Sequence, residues 1–127
     1  DAAQVTSAKI TTVEIDPKRA AQASLFANEL AVDDVIDFQV VDALDFLKNT
    51  NQKFDFILLD AERDAYLDYW PYLQNMLVQT NGVLVVDNVI SHATEVKSFI
   101  SLVKGDTRFL TTTLALGAGL FVVIFKN

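Results

Sequence analysis

Hydrophobic positions along the chain fall in short blocks that alternate with amphipathic segments. The β-branched block 9–15 (KITTVEI) predicts a strand. Segment 17–31 follows an Asp-Pro helix cap. Its apolar residues recur at helical spacing, which predicts a helix with Ala23, Phe26, Ala27 and Leu30 on one face.

The same alternation continues through the rest of the sequence. Apolar blocks predict strands at 36–41, 54–59 and 83–86, and the last two are apolar enough to indicate that both of their faces are covered. Helices are predicted at 43–48, 65–78 and 94–104, and Pro71 is expected to bend the second of these or to reset its start. Strands 109–116 and 120–126 are joined by a Gly-Ala-Gly turn at 117–119, so they form an antiparallel hairpin.

Repeated strand–helix units with apolar strands predict an α/β fold with a mostly parallel sheet. The C-terminal antiparallel hairpin suits a Rossmann-like class I methyltransferase fold better than a plain dinucleotide-binding fold. With 127 residues, the chain has room for one hydrophobic core, so we expect a single domain over 1–127.

An acidic residue stands at the end of each of the four predicted parallel strands. These residues are Glu14, Asp42, Asp60 and Asp87, the last of which is followed by Asn88. One interpretation is that they cap helices and turns, where aspartate is common. The other is that they form a binding site, because ligands of such sheets bind at the carboxyl ends of the strands.

The acids divide into two chemical groups. Glu14 stands where a carboxylate hydrogen-bonds ribose hydroxyls in nucleotide sites, and Asp42 stands at the next strand end, where it can accept a bond from an adenine amine. Asp60, Asp87 and Asn88 bring two carboxylates and an amide to neighbouring strand ends, without histidine or cysteine. Such a set of oxygen donors is typical of a site for a hard cation such as Mg²⁺.

Five motifs in order resemble the catechol/caffeoyl-CoA O-methyltransferase family: TTVEID followed by PKRA, then VVDAL, FDFILLDAERDAY, GVLVVDNV and the hairpin TTTLALGAGLFVV. The resemblance covers nearly the whole chain. It implies that S-adenosylmethionine is the cofactor, with Glu14 at its ribose and Asp42 and Ala43 beside its adenine. It also implies that Asp60, Asp87 and Asn88 bind the metal, with Asp60 part of the cofactor site as well.

The implied reaction is methyl transfer to a hydroxyl of a metal-chelated, catechol-like small molecule, with Asp60 and Arg63 as catalytic residues. Relatives carry a lysine at the place of Arg63, where it assists deprotonation. Arginine stays protonated, so Arg63 can stabilise an oxyanion but is a poor general base. His92, the one histidine, is interpreted more readily as a solvated loop residue than as a base, and the tyrosines and tryptophan at 66–72 as packing residues.

The sequence departs from the family at two places. Relatives have a central strand and a glycine-rich turn ahead of TTVEID, whereas no glycine precedes Lys9 here. We therefore expect this first, central strand to be absent from the sequence and to come from an upstream segment or from another chain, since unpaired strand edges are costly. The region after Asn88 is also short, where relatives carry a longer lid over the acceptor.

Composition bears on partners and location. A net charge of −7 makes nucleic acid an unfavourable partner, which weighs against the alternative of a tRNA-modifying O-methyltransferase. A catalytically inactive binding or oligomerisation module is a further alternative. The chain has no cysteine and no apolar run long enough for a membrane span, so we expect a cytoplasmic protein. A homodimer is expected from the resemblance alone.

Overall fold

The computed structural model describes residues 2–126, and the chain divides into two compact units, Asp1–Asn49 and Thr50–Asn127. Each unit has its own sheet. The predicted single domain over 1–127 remains a prediction.

The first unit is built around two parallel strands. Its elements are α1 (Ala2–Thr6), β1 (Ile10–Glu14), α2 (Pro17–Glu29), β2 (Ile36–Val40) and α3 (Ala43–Asn49), with a 3₁₀ turn at Asp33–Val35. Strands β1 and β2 pair in parallel from Ile10 opposite Ile36 to Glu14 opposite Val40. Asp16 caps α2 by accepting a bond from the Lys18 amide, which confirms the predicted start of this helix.

The predicted apolar face of α2 is only partly buried. Ala20 and Ala27 are buried, whereas Phe26 and Leu30 are exposed. Helical spacing identifies residues that share a face, but it does not show that another element covers the face. The short helix α1 was not predicted.

The second unit carries a four-stranded mixed sheet. Its elements are β3 (Phe56–Leu59), α4 (Tyr66–Met76), β4 (Val83–Val86), α5 (Ala93–Gly105), β5 (Phe109–Leu114) and β6 (Leu120–Phe125), with a 3₁₀ turn at Arg63–Ala65. The strand order is β3-β4-β6-β5. Strands β3 and β4 are parallel, and β6 is antiparallel to both β4 and β5, which confirms the C-terminal hairpin.

Most of the buried side chains in the described residues belong to the second unit. Helices α4 and α5 supply an aromatic cluster in which the Phe99 ring packs edge-on against Tyr66 at 5.4 Å and against Trp70 at 5.9 Å. The packing interpretation of Tyr66, Tyr69 and Trp70 is therefore confirmed. The first unit contributes only Ala20, Ala27 and Leu47 to the buried set.

One local prediction for the second unit is wrong, and one of two alternatives for Pro71 is wrong. Strand β3 was expected to be covered on both faces, but Phe56 and Leu58 are 59% and 60% exposed. Pro71 does not reset the start of its helix, because α4 begins at Tyr66 and continues through Pro71 to Met76, and a bend at Pro71 stays a prediction. A proline removes one helical hydrogen bond, and here packing of the buried residues on both sides of it compensates for that loss.

The α/β architecture is confirmed, with equal numbers of parallel and antiparallel strand pairs rather than a mostly parallel sheet. Within residues 2–126, β1 pairs only with β2, and β3 pairs only with β4. The predicted absence of a central strand stays a prediction. No helix in the described part of the chain is long and apolar enough to cross a membrane.

Candidate functional site

Asp60 and Asp87 lie side by side at the carboxyl end of the β3–β4 pair. The last paired residues of these strands are Leu59 and Val86, and each aspartate is the next residue along. The Asp87 amide donates to the Leu59 carbonyl at 3.1 Å, which continues the ladder past the strand ends. The parallel register therefore brings the two carboxylates to one edge of the sheet, as the sequence predicts.

Asn88 completes this group. Its side-chain Nδ2 donates to Oδ1 of Asp60 at 3.2 Å, and its backbone amide donates to Oδ1 of Asp87 at 2.7 Å. The φ angle of Asn88 is 63°, in the left-handed region that asparagine enters more easily than most residues. The three predicted metal-binding residues thus lie within hydrogen-bonding reach of one another.

Helix α5 supports the Asn88 backbone. The His92 amide donates to the Asn88 carbonyl at 3.1 Å, and the Ser91 hydroxyl donates to the same oxygen at 3.2 Å. His92 stands at the first turn of α5, with its Nδ1 at 2.8 Å from the Ser91 hydroxyl. His92 therefore stabilises the loop between Asn88 and α5, and these contacts do not indicate that it acts as a base.

The hairpin turn 117–119 packs against the loop that follows Asn88. The Val89 amide donates to the Gly119 carbonyl, and the amides of Ile90 and Ser91 both donate to the Ala118 carbonyl, at 2.9–3.1 Å. Gly119 has a φ of 94°, and a Cβ placed on it would lie 2.4 Å from Cγ1 of Ile90. The sequence indicated the turn, but it did not show that the turn supports the predicted metal loop.

Arg63 lies in the 3₁₀ turn that follows Asp60. Its Nη1 is 3.9 Å from Oε2 of Glu95, in the first turn of α5, and its side chain is only 22% exposed. Its Nε is buried and has no hydrogen-bond partner in the described part of the chain. An unpaired buried N–H group retains its full capacity to bind an anionic oxygen. Glu95, which pairs with Arg63, was not singled out from the sequence.

Tyr66 is a further residue that sequence reasoning assigned only to packing. Its hydroxyl lies 3.3 Å from both the amide nitrogen and the carbonyl oxygen of Ala61, the residue after Asp60. Burial raises the pKa of this hydroxyl, and the charges of Asp60 and Asp87 raise it further, while the Ala61 bond and Arg63 act in the opposite direction. No simple spacing rule signals this contact, because it depends on how the turn 60–65 folds.

The raised pKa of Tyr66 predicts a loss of stability at alkaline pH. The folded chain holds the phenolic proton more tightly than the unfolded chain, where the pKa is near 10. The stabilisation is therefore complete below that pH and is lost as the pH rises through the higher folded pKa. We expect Tyr66→Phe to flatten the decrease of the unfolding free energy above pH 10, measured by urea denaturation. Equal slopes in both proteins would contradict this.

The first unit holds three of the four residues predicted to contact the cofactor, Glu14, Asp42 and Ala43. Glu14 ends β1, and its Oε1 accepts a bond from the Asp16 amide at 2.8 Å. Asp42 follows β2 and caps α3, whose first residue is Ala43, by accepting a bond from the Asp45 amide at 3.1 Å. The capping interpretation is thus correct for Asp42. Both carboxylates still lie at the carboxyl edge of the β1–β2 pair, and their cofactor contacts remain predictions.

The donor set fits a hard cation by its chemistry. In residues 2–126 no group of three or more histidine, cysteine, aspartate or glutamate side chains is placed to hold a metal ion. Asp60, Asp87 and Asn88 supply two carboxylates and one amide instead. All three offer oxygen, the ligand atom that Mg²⁺ prefers, and a half-turn of the Asn88 amide presents its oxygen in place of its nitrogen.

Comparisons with known proteins agree with the motif order. The profile of the O-methyltransferase family matches residues 2–124. A putative caffeoyl-CoA O-methyltransferase of Arabidopsis thaliana is 35% identical over 86 residues, which cover 65% of this chain and 36% of that protein. The resemblance predicted from the sequence is therefore confirmed, although the chain spans only about a third of this curated relative.

Solved structures show the same fold. The SAH-bound methyltransferase of Podospora anserina superposes with a TM-score of 0.86 at 22% identity, over 96% of this chain and 62% of that one. The O-methyltransferase of Bacillus cereus in complex with SAH gives a TM-score of 0.80 at 21% identity, over 93% and 63%. The Rossmann-like methyltransferase fold is thus confirmed. With the profile match over nearly its whole length, the chain belongs to the O-methyltransferase family.

Proposed function

We propose that this chain carries the cofactor and metal sites of an S-adenosylmethionine-dependent O-methyltransferase. The proposed acceptor is a hydroxylated, catechol-like small molecule chelated by a divalent metal, with Mg²⁺ the first candidate. The observation that carries the proposal is the convergence of Asp60, Asp87 and Asn88 at one edge of the β3–β4 pair. Their arrangement supports a metal site more specifically than family membership does.

The proposed methyl donor follows from the relatives and from two carboxylates. The Podospora anserina and Bacillus cereus structures contain SAH, and the structure of TomG from Streptomyces achromogenes contains SAM. TomG superposes with a TM-score of 0.82 at 20% identity, over 94% of this chain and 62% of that one. In this chain we assign Glu14 to the ribose hydroxyls and Asp42 and Ala43 to the adenine. A carboxylate accepts several hydrogen bonds, so the internal bonds of Glu14 and Asp42 leave capacity for a ligand. We assign Asp60 to this site as well.

The proposed metal has one chemical task. Asp60, Asp87 and Asn88 would hold a divalent cation, and the cation would supply Lewis acidity that lowers the pKa of an acceptor hydroxyl. In the transfer itself, the acceptor oxygen forms a bond to the methyl carbon while the carbon–sulfur bond of the donor breaks, and SAH leaves. Such a displacement depends mainly on the positioning of the reacting atoms.

Arg63 is assigned to charge stabilisation. It lies in the 3₁₀ turn that follows Asp60, and its Nε–H is buried and unpaired in the described part of the chain. Arginine carries a positive charge and five donors, so the guanidinium is assigned to stabilising the developing acceptor oxyanion, an interaction worth more in a site that excludes water. Glu95, at 3.9 Å, holds the other end of the guanidinium. Because Arg63 is not a proton acceptor, the acceptor hydroxyl, made more acidic by the metal, would lose its proton to water rather than to a lysine.

Calorimetric titration with S-adenosylhomocysteine, with and without Mg²⁺, tests this function. We expect one SAH to bind per chain. Glu14→Gln keeps an acceptor for the Asp16 amide but removes the charge, so it should weaken SAH binding at least about tenfold, as the loss of hydrogen bonds to a charged group does. Glu29→Gln, the same change at an exposed position of α2, should leave binding unchanged.

Two results would count against the proposal. A folded sample without SAH binding would show that this chain does not act as a methyltransferase. Equal affinity in Glu14→Gln and Glu29→Gln would show that the ribose assignment is wrong. A homodimer and a cytoplasmic location belong to the same proposal and are tested separately, the first by sedimentation of the purified chain.

A further inference from the structure

We propose that Tyr66 is a positioning residue for Asp60: its buried hydroxyl fixes the turn that carries the Asp60 carboxylate. This inference rests on the proposed metal site, and it adds a residue that contacts neither metal nor substrate. The hydroxyl lies 3.3 Å from both backbone polar groups of Ala61. It therefore accepts from one and donates to the other.

The position of the contact makes it effective. The Ala61 N–H belongs to the peptide plane that begins at the Asp60 carbonyl, so fixing this N–H fixes the ψ angle of Asp60. Asp60 itself is exposed and lies past the last ladder pair of β3, Leu59 with Val86. Beyond that pair, Tyr66 and the Asn88 side chain supply hydrogen bonds to Ala61 and Asp60.

The Tyr66 ring is held firmly enough to act as an anchor. The residue is 0% exposed and begins helix α4, so both its backbone and its side chain are fixed. Its ring packs edge-on against Phe99 of α5 at 5.4 Å and at a tilt against Tyr69 at 6.3 Å. The hydroxyl therefore has one accessible position, and any movement of the Asp60 turn breaks its two bonds.

The Tyr66 hydroxyl also keeps its proton at neutral pH. Burial raises the pKa of Tyr66 above its usual value, and the charges of Asp60 and Asp87 add to the effect. The O–H therefore remains able to donate to the Ala61 carbonyl throughout the neutral range. That the charges of both aspartates act on this group agrees with its place beside the proposed metal site.

Tyr66→Phe separates positioning from packing. The change removes both bonds to Ala61 but keeps the ring in the aromatic cluster. Tyr72→Phe is the matched control, since it makes the same change on the same helix, about 9 Å further along its axis. Three quantities are measured for both variants without added cofactor: Mg²⁺ affinity by calorimetry, hydrogen exchange of the Ala61 amide, and the thermal midpoint of unfolding.

We expect Tyr66→Phe to weaken Mg²⁺ binding about tenfold or more, as the loss of a partner that orients a metal ligand does. The Ala61 amide should exchange about fivefold faster or more, as expected for one lost hydrogen bond. Tyr72→Phe should change neither. A lower thermal midpoint in Tyr66→Phe with unchanged Mg²⁺ affinity would overturn the proposal, because it would show a structural contribution only.

Failure of the proposed function is distinguishable from failure of this inference. If the unsubstituted chain binds no Mg²⁺, the metal site is wrong, and exchange at Ala61 alone then decides whether Tyr66 fixes the Asp60 turn. Faster exchange in Tyr66→Phe supports the positioning of Asp60 for another ligand. Unchanged exchange overturns it.

Discussion

Asp87→Ala is expected to weaken Mg²⁺ binding by more than about 100-fold and to remove most of the methyl transfer. Loss of a partner that only orients a metal ligand already costs about 10–100-fold in affinity, so loss of a charged ligand should cost more. The substitution also leaves the Asn88 amide without the acceptor that it contacts at 2.7 Å. Calorimetry with Mg²⁺ measures the first effect, and methylation of a catechol with added Mg²⁺ measures the second.

Two further variants make this result specific. Asp68→Ala removes the same charge from an exposed position of α4 and should leave Mg²⁺ binding unchanged. Asp87→Asn keeps an oxygen that can accept from the Asn88 amide, so it should bind Mg²⁺ weakly while the loop keeps its conformation. If Asp87→Ala retains full turnover and metal affinity, the metal-dependent mechanism is wrong. If no variant, nor the parent chain, methylates any acceptor, the chain serves as a binding module.

Gly119→Ala is expected to lower the unfolding free energy by about 2–5 kcal/mol. About 1–2 kcal/mol of this comes from placing a side chain at positive φ, and about 1–3 kcal/mol comes from overpacking. The added methyl would lie 2.4 Å from Cγ1 and 2.7 Å from the backbone nitrogen of Ile90, so a side-chain rotation alone cannot relieve the contact. Urea denaturation measures the change.

Gly117→Ala is the matched control for this prediction. Gly117 also has a positive φ, 54°, but nothing lies within 4 Å of an added methyl group. It should therefore lose only the conformational part, about 1–2 kcal/mol. Equal losses at the two positions would show that the turn does not pack against the loop after Asn88. We also expect Gly119→Ala, but not Gly117→Ala, to weaken Mg²⁺ binding, because Ile90 lies two residues after Asn88.

The sequence predicts the strands and the site acids well because both depend on local patterns. The predicted blocks contain the observed strands β1 to β6, and the acids at the end of β1 and directly after β3 and β4 lie at the expected sheet edges. Parallel pairing fixes where a residue that follows a strand must lie, so the sequence alone predicts that Asp60 and Asp87 lie close together. Asn88 is predicted at the same sheet edge because it is the residue after Asp87.

Burial is less predictable, because it depends on neighbours that the pattern does not identify. Phe26 and Leu30 repeat at helical spacing, and Phe56 and Leu58 belong to an apolar strand, yet all four are exposed in the described structure. Periodicity reports which side chains share a face and not whether a partner covers it. Pro71 shows that a local rule can also fail in the other direction. A proline inside a helix favours a break, yet α4 continues through Pro71, with buried residues on both sides of it.

The supporting contacts of the site could not be predicted. Tyr66 reaches Ala61 across a 3₁₀ turn, and Gly119 approaches Ile90 from a distant hairpin. Neither contact leaves a motif, because each depends on side-chain direction and on the close approach of two backbones. The acids of the site are therefore visible in the sequence, whereas the residues that hold them in place are visible only in three dimensions.

The contact between the hairpin turn and the Asn88 loop sets an order of events during synthesis. Asp60, Asp87 and Asn88 belong to one β3–α4–β4 unit, so they can come together once residues 54–88 have been translated. The turn that receives the amides of Val89, Ile90 and Ser91 is translated later, with 117–119. In a nascent chain the three oxygen donors are therefore translated before the turn, and the loop after them can form its bonds to the turn only once 117–119 are available.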